Sequence, residues 1–196
     1  MERKATIARE TKETNVRVSL DLDGNGTYDV DTGVGFFDHM LELFARHSML
    51  DLNVKCDGDL HVDAHHTVED TGIVLGRAML SALGDKKGIR RYGTVFVPMD
   101  EALCQVSLDV SGRPFLYYKA PFMQSKLGTF DAELVEEFLR ALAMNAGLTL
   151  HVRVHYGANA HHMIESVFKA LGRACREAFE QDPRAKGQIP STKGTL

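Results

Sequence analysis

Cysteine is scarce in this chain of 196 residues, and the three cysteines present are not arranged in pairs. Cys56, Cys104 and Cys175 lie far apart and form no CxxC motif. An odd number of scattered thiols favours reduced cysteines in a cytosolic enzyme over a disulfide framework.

Long runs of one chemical character are also missing. No cluster of lysine and arginine stands out, and the formal net charge is −4, so we expect no nucleic-acid partner. No apolar run is long enough to cross a bilayer, and the first residues lack the apolar core of a signal peptide. We therefore expect a soluble, cytoplasmic protein without a membrane partner.

The composition that is present is that of an ordinary globular protein, 44% hydrophobic and 26% charged. Residue periodicity predicts the same order of elements twice: strands, a helix, a strand and a helix. The first half is predicted to contain strands 4–10, 15–22, 27–31 and 50–56 and helices 36–46 and 65–83. The second half is predicted to contain strands 94–98, 103–110, 115–118 and 148–156 and helices at 130–146 and from residue 160.

The two halves, residues 1–87 and 88–180, are not separated by a linker rich in proline or serine. We therefore expect one compact domain with an α+β fold, in which helices cover the sheets. Residues 181–196 contain two prolines and two glycines and should form an irregular tail.

One turn needs separate treatment. Residues 21–26 (DLDGNG) match the first half of a calcium-binding EF-hand loop. Thr32 stands where that loop needs a bidentate Glu, and the flanking residues are strand-like, so we reject a calcium site. Instead, Asn25 and Gly26 are predicted to form the turn of a β-hairpin.

The most informative motif occurs twice. Residues 64–69 (AHHTVE) recur as residues 160–165 (AHHMIE), and residues 75–78 (LGRA) recur as residues 171–174. Each copy should open an amphipathic helix. Two such clusters indicate a paired metal site in a fold of two pseudo-symmetric halves.

The repeat also aligns upstream of the histidines, after a gap of two residues, and places His39 opposite Glu137. Each half then offers four candidate ligands, all imidazoles or carboxylates, which suit Mn, Fe, Ni or Zn. The candidate metal ligands are His39, His65, His66, Glu69, Glu137, His161, His162 and Glu165.

Helix geometry sorts these ligands. Residues at positions i and i+4 share a face, so His65 with Glu69, and His161 with Glu165, can each bind one ion. The histidine adjacent to each pair points roughly 100° away around the helix. If a pseudo-twofold axis relates the halves, His162 completes the His65 site and His66 completes the His161 site. Geometry alone leaves open which site receives His39 and which receives Glu137.

Residues 37–41 (FDHML), 65–70 (HHTVED), 161–165 (HHMIE) and 191–194 (STKG) together resemble the imidazoleglycerol-phosphate dehydratase family. The resemblance covers essentially the whole chain. It implies a helical layer between two four-stranded sheets and two Mn²⁺ ions in each active site. It also implies a homo-oligomer of 24 subunits, with active sites where subunits meet and metal helping to bring the subunits together.

The resemblance assigns roles to individual residues. It pairs Glu137 with the His65 site and His39 with the His161 site, although many members of the family have His in place of Glu137. It nominates Glu13 as the catalytic acid/base and places the tail in the active site. The substrate-binding residues that it implies are Glu13, His39, His47, His65, His66, Glu69, Arg91, Arg113, His161, Glu165, Lys169, Ser191, Thr192 and Lys193.

Lys169 also has support that is independent of the resemblance. It follows His161 and Glu165 at helical spacing along one face, so its ammonium should lie near the second metal. Its repeat equivalent, Ile73, carries no charge. The duplicated scaffold should therefore be symmetric for metal and asymmetric for phosphate.

The implied activity is a hydro-lyase reaction of histidine biosynthesis, in which D-erythro-imidazoleglycerol phosphate loses water to give imidazole acetol phosphate. The C2 proton is not acidic, because no carbonyl stands next to it. Two metal ions on the ring nitrogens would favour an imidazolate, which can expel the C3 hydroxyl as a diazafulvene forms. Loss of the C2 proton, with Glu13 as the acid/base, would then give an enol and finally the ketone.

Two other functions could use the same ligands. A metal-dependent hydrolase of a phosphorylated metabolite would activate water with the same ions. A non-catalytic metal-storage shell would use the assembly alone. Product analysis separates these alternatives.

Overall fold

The computed structural model describes residues 2–121 and 126–196. The elements of the first half are β1 (Lys4–Glu10), β2 (Thr14–Asp21), β3 (Tyr28–Asp31), α1 (Gly35–Ser48), β4 (Asp51–Gly58) and α2 (His65–Leu83). Those of the second half are β5 (Tyr92–Met99), β6 (Ala102–Asp109), β7 (Phe115–Lys119), β8 (Lys126–Leu127), β9 (Phe130–Asp131), α3 (Leu134–Ala146), β10 (Thr149–Tyr156) and α4 (Ala160–Phe179).

The two four-stranded sheets have the same topology. The first has the order β1-β2-β4-β3 and the second the order β5-β6-β10-β7. In each sheet the last strand in the order runs parallel to its neighbour, whereas the other pairs are antiparallel. The predicted α+β fold, with helices between two four-stranded sheets, is confirmed.

The helices fill the space between the sheets. Helix α2 packs on β1, β2 and β4, and α4 packs on β5 and β6, while α2 contacts α3 and α1 contacts α4. At the centre, the ring of Phe138 lies 5.3 Å from the rings of both Phe37 and Phe168. Among the helices of the described residues, none is long and apolar enough to span a bilayer.

Two glycines allow the helices to approach closely. A Cβ on Gly172 of α4 would lie 2.7 Å from the carbonyl oxygen of Phe44 and 3.0 Å from the amide nitrogen of Ser48 in α1. A Cβ on Gly76 of α2 would meet the backbone of Leu142 and Ala146 in α3 at 2.8 and 3.0 Å. The glycine of each repeated LGRA sequence therefore sets the distance between the helix that carries the histidines and its neighbour.

The predicted β-hairpin at Asn25 and Gly26 is wrong. Strands β2 and β3 do not pair with each other, because β4 lies between them. The carboxylate of Asp51, at the start of β4, accepts hydrogen bonds from the backbone nitrogens of Asn25 and Thr27, both at 2.9 Å. The segment is thus a loop around the end of β4 rather than a two-strand turn.

The predicted helix at residues 130–146 begins too early. Phe130 belongs to the short strand β9, which pairs with β8, and α3 starts at Leu134. Phe130 is fully buried and packs on Phe36 and Phe37, at ring distances of 5.2 and 6.1 Å. Its apolar character reflects this tertiary contact rather than a helical face.

We expect Gly172→Ala to lower the free energy of unfolding of the metal-free protein by about 1–3 kcal/mol, because the new methyl group would force α1 and α4 apart. Urea denaturation measures this change. Gly35→Ala, in the first turn of α1 where a Cβ would meet no atom within 4 Å, is the matched control. Equal stability of the two variants would contradict close packing at Gly172.

Candidate metal centre

Three of the predicted ligands come together in the second half of the chain. His161 and Glu165 lie one turn apart on α4, with Nε2 3.4 Å from Oε2, and His39 approaches them from α1. The ligand atoms of these three residues all lie within 4.8 Å of one another. Among the described residues this is the only such group of three, and its imidazole and carboxylate donors suit a divalent ion such as Mn²⁺.

A lysine one helical turn away forms an ion pair with Glu165 of this group. The Nζ of Lys169, one further turn along α4, lies 2.6 Å from Oε1 of Glu165 and 3.4 Å from Sδ of Met99. Burial raises the pKa of Glu165, but Lys169 and His161 outweigh it and hold that pKa below its usual value. Glu165 is therefore ionised at neutral pH and ready to bind a cation.

In the first half, His65 and Glu69 on α2 form a looser and more exposed pair. Their Nε2 and Oε2 atoms are 3.8 Å apart. Glu137 on α3 does not join them in a group of three ligand atoms within the described residues. The chain thus contains one group of three potential ligands and one pair.

His66 and His162 directly follow His65 and His161, and each contacts a carboxylate that is not one of the predicted metal ligands. Nδ1 of His66 lies 3.0 and 3.1 Å from the two carboxylate oxygens of Asp59, and Nδ1 of His162 lies 2.7 Å from Oε2 of Glu101. These contacts raise the pKa of both histidines. The hydrogen bond with His162, together with backbone N–H groups, lowers the pKa of Glu101 to about 2.

The inference that His66 and His162 complete the site of the opposite half is therefore not realised within a single chain. Among the described residues, neither histidine takes part in a group of three potential ligands. Each ring turns away from the i, i+4 pair on its own helix and toward the turns next to the helix N-terminus.

Glu13 lies in one of those turns, between β1 and β2. Its Oε1 is 3.9 Å from Nε2 of His66, and its side chain is more than half exposed. The turn is fixed to α2 because Asp70 accepts hydrogen bonds from Arg9 and from the hydroxyl of Thr14. Moreover, the carbonyl oxygen of Glu13 accepts a hydrogen bond of 3.0 Å from the backbone of Asp59.

Two residues that the resemblance implies for substrate binding, Arg91 and Arg113, meet at Asp109, and as cations they suit the phosphate. Nε of Arg91 is 2.6 Å from Oδ1 of Asp109, and Nη2 of Arg113 is 3.9 Å from Oδ2. Arg91 also donates a hydrogen bond of 2.8 Å to the carbonyl oxygen of Pro190. That contact brings the start of the segment formed by Ser191, Thr192 and Lys193 to the same region.

Lys169 lies far from those arginines. Arg91 directly precedes β5, whereas Lys169 contacts Met99 at the other end of that strand. Strand β5 contains 8 residues and is therefore roughly 23 Å long. Within one chain, Lys169 and the two arginines cannot bind the same phosphate group.

Three further histidines, His47, His151 and His155, lie outside the metal-ligand groups. His47, a predicted substrate contact in the last turn of α1, lies beside α4, and burial together with Lys169 and Arg173 lowers its pKa. His151 and His155 stack on Tyr117 and Phe96, each with its ring 5.6 Å away, on the outer face of the second sheet.

Sequence reasoning missed Asp59, Glu101 and Asp109. Carboxylates in turns and at strand ends are common and carry no motif of their own. One signal was available for Glu101: it directly precedes β6, just as Glu13 directly precedes β2. An alignment of the two strand turns would have paired them.

Known proteins are similar to this chain over most of its length. A family model described as imidazoleglycerol-phosphate dehydratase matches residues 32–175. The imidazoleglycerol-phosphate dehydratase of Clostridium acetobutylicum is 61% identical over 194 residues, which cover 99% of this chain and 98% of that protein.

Solved structures of imidazoleglycerol-phosphate dehydratases are also similar to this chain. The crystal structure of imidazoleglycerol-phosphate dehydratase from Staphylococcus aureus subsp. aureus N315 has a TM-score of 0.83 and 44% identity, and covers 91% of this chain and 99% of that one. The structure of IGPD from Pyrococcus furiosus in complex with (S)-C348 has a TM-score of 0.83 and 34% identity, with 97% and 100% covered. The chain belongs to the imidazoleglycerol-phosphate dehydratase family.

Proposed function

We propose that the protein is a hydro-lyase that converts D-erythro-imidazoleglycerol phosphate into imidazole acetol phosphate in histidine biosynthesis. The observation that carries the proposal is the group formed by His39, His161 and Glu165, with Lys169 bonded to Glu165. This group offers a divalent-cation site next to a fixed cation, as a substrate with an imidazole ring and a phosphate requires.

The donor set fits two Mn²⁺ ions in each active site. One ion would be held by the group of three in the second half, and the other by His65 and Glu69, to which the resemblance adds Glu137. When bound, the two ions would supply Lewis acidity to the ring nitrogens of the substrate and favour loss of the ring N–H. All other steps depend on residues of the chain itself.

A second copy of the chain is needed to complete each active site. Support comes from the two phosphate-binding regions, which lie at opposite ends of β5. A further argument is that His66 and His162 face away from the ligands of their own helices. We therefore extend the proposal to a homo-oligomer, the 24-subunit assembly that the resemblance implies, in which these residues serve a neighbouring subunit.

Glu13 is the proposed acid/base for the proton at C2. Its carboxylate is exposed and within 3.9 Å of Nε2 of His66, so it lies beside a potential ligand without being bound by it. The Arg9–Asp70–Thr14 contacts hold the turn against α2. An exposed carboxylate on a fixed turn can accept a proton from the substrate and return it to the product.

The cationic side chains of arginine and lysine would hold the phosphate and so fix the orientation of the substrate. Asp109 accepts a bidentate pair of hydrogen bonds from Arg91, which fixes the guanidinium and holds the pKa of Arg91 above its usual value. Arg113 and Lys193 are exposed and can close on the phosphate from either side. Lys169 would approach from a different subunit.

Product analysis tests this function. With imidazoleglycerol phosphate and Mn²⁺, imidazole acetol phosphate should form and be detected by mass spectrometry. Chelation should stop its formation, and added Mn²⁺ should restore it. Release of free phosphate in place of the ketone would contradict the proposal and favour the hydrolase.

We expect Glu13→Gln to lower kcat by about 100- to 10,000-fold, because the amide cannot accept the C2 proton. Bound Mn²⁺, measured by elemental analysis, should not change. Glu10→Gln replaces an exposed carboxylate on the same strand pair and should retain wild-type kcat. Full activity of Glu13→Gln would assign the proton transfer to another residue.

Lys169→Ala should raise KM roughly 10- to 100-fold, through loss of a charged contact with the phosphate. Steady-state kinetics with matched metal analysis measures this effect. Arg176→Ala removes an exposed charge elsewhere on α4 and serves as the control. Loss of metal from Lys169→Ala would instead show that the Lys169–Glu165 pair organises the metal site.

A further inference from the structure

Asp59 and Glu101 hold the two adjacent histidines in equivalent ways. Each carboxylate contacts Nδ1 of its histidine, at 3.0 and 3.1 Å for His66 and at 2.7 Å for His162. An ionised carboxylate can only accept a hydrogen bond, so Nδ1 must carry the hydrogen. A neutral ring of this form keeps its lone pair on Nε2, the atom left for a metal ion.

The carboxylate of Glu101 is itself held by backbone N–H groups, whereas Asp59 is held through its own main chain. Oε1 of Glu101 accepts hydrogen bonds from the nitrogens of Ala158 and Asn159, at 3.1 and 2.7 Å, while Oε2 contacts His162. The backbone nitrogen of Asp59 donates a 3.0 Å hydrogen bond to the carbonyl oxygen of Glu13. The orientation of each ring is thus tied to a turn of the main chain.

Helix capping does not account for these carboxylates. The first backbone N–H groups of the two histidine motifs are bound by other side chains. His65 donates to Asp63 at 2.7 Å, and His161 donates to Asn159 at 2.9 Å. Asp59 and Glu101 therefore remain available to the imidazole rings.

We propose that Asp59 and Glu101 are positioning residues, which fix the Nδ1–H form and the ring direction of His66 and His162 for metal binding. The proposal rests on the metal centre of the proposed function. Carboxylates that accept the second N–H of a ligating histidine hold its tautomer and increase its basicity. Asp59 and Glu101 would do so for one ion each.

The two halves use carboxylates from different turns for this task. Glu13 and Glu101 occupy equivalent turns, directly before β2 and β6. In the second half the turn carboxylate is engaged by His162 and two backbone N–H groups. In the first half Asp59 takes over that task, and Glu13 stays free to transfer protons. Glu101 is accordingly a positioning residue and not a second acid/base.

Mn²⁺ binding to the assembled, metal-stripped protein tests the proposal, with free Mn²⁺ followed by electron paramagnetic resonance. Asp59→Asn and Glu101→Gln are nearly isosteric, but an amide can donate to Nδ1 and so favour the form with hydrogen on Nε2. We expect each variant to lose about 10- to 100-fold in affinity at one of the two sites and to keep the other. Asp57→Asn and Glu10→Gln are the controls, since both carboxylates are exposed.

Each outcome decides the proposal. Loss of affinity at one site, with an unchanged unfolding temperature of the metal-free protein, supports it. Wild-type isotherms for both variants would overturn it, as would equal loss at both sites with a lower unfolding temperature, which indicates a structural role. If the wild-type protein bound no Mn²⁺ tightly, the result would contradict the proposed metal centre and therefore also the positioning roles of Asp59 and Glu101.

Discussion

A helix turns by roughly 100° at each residue, and two adjacent histidines on it cannot face the same ion. This constraint organises the site. On α4, His161 and Glu165 share a face that lies against His39 of α1, while His162 is directed to Glu101. Helix α2 repeats the division, with one face for a ligand pair and the adjacent histidine bound elsewhere. Among the described residues the ligand sets contain three and two residues, and in the proposed homo-oligomer another copy of the chain would supply the remaining ligands.

The two halves share the same strand order but differ in their side chains. The strand order is the same in both sheets, and a glycine sets the helix spacing in each half. The charged side chains, however, are not the same at equivalent positions of the two halves. Lys169 has the apolar Ile73 as its counterpart, and Glu101 is held by hydrogen bonds where Glu13 is exposed. A ring with two similar nitrogens and one phosphorylated side chain calls for this combination.

Much of the fold could be predicted, because periodicity and the repeat are local signals. Strand order could not, and so the Asn25–Gly26 hairpin was wrong: β4 enters between β2 and β3 through contacts that are distant in sequence. Phe130 was placed in a helix because burial by tertiary contact and burial on a helical face look alike in sequence. The histidines and Glu165 could be found by their spacing. Their carboxylate partners could not, since Asp59 and Glu101 belong to no motif.

The proposed active site forms between chains, with the His161 side from one chain and the Glu13 side from another. Co-expression of Glu13→Gln and His161→Ala chains tests this arrangement most directly, because each variant inactivates a different side of the active site. Random assembly should restore dehydratase activity to about a quarter of the wild-type level, from contacts where both intact sides meet. Activity no higher than that of either variant alone would show that a single chain carries the whole site.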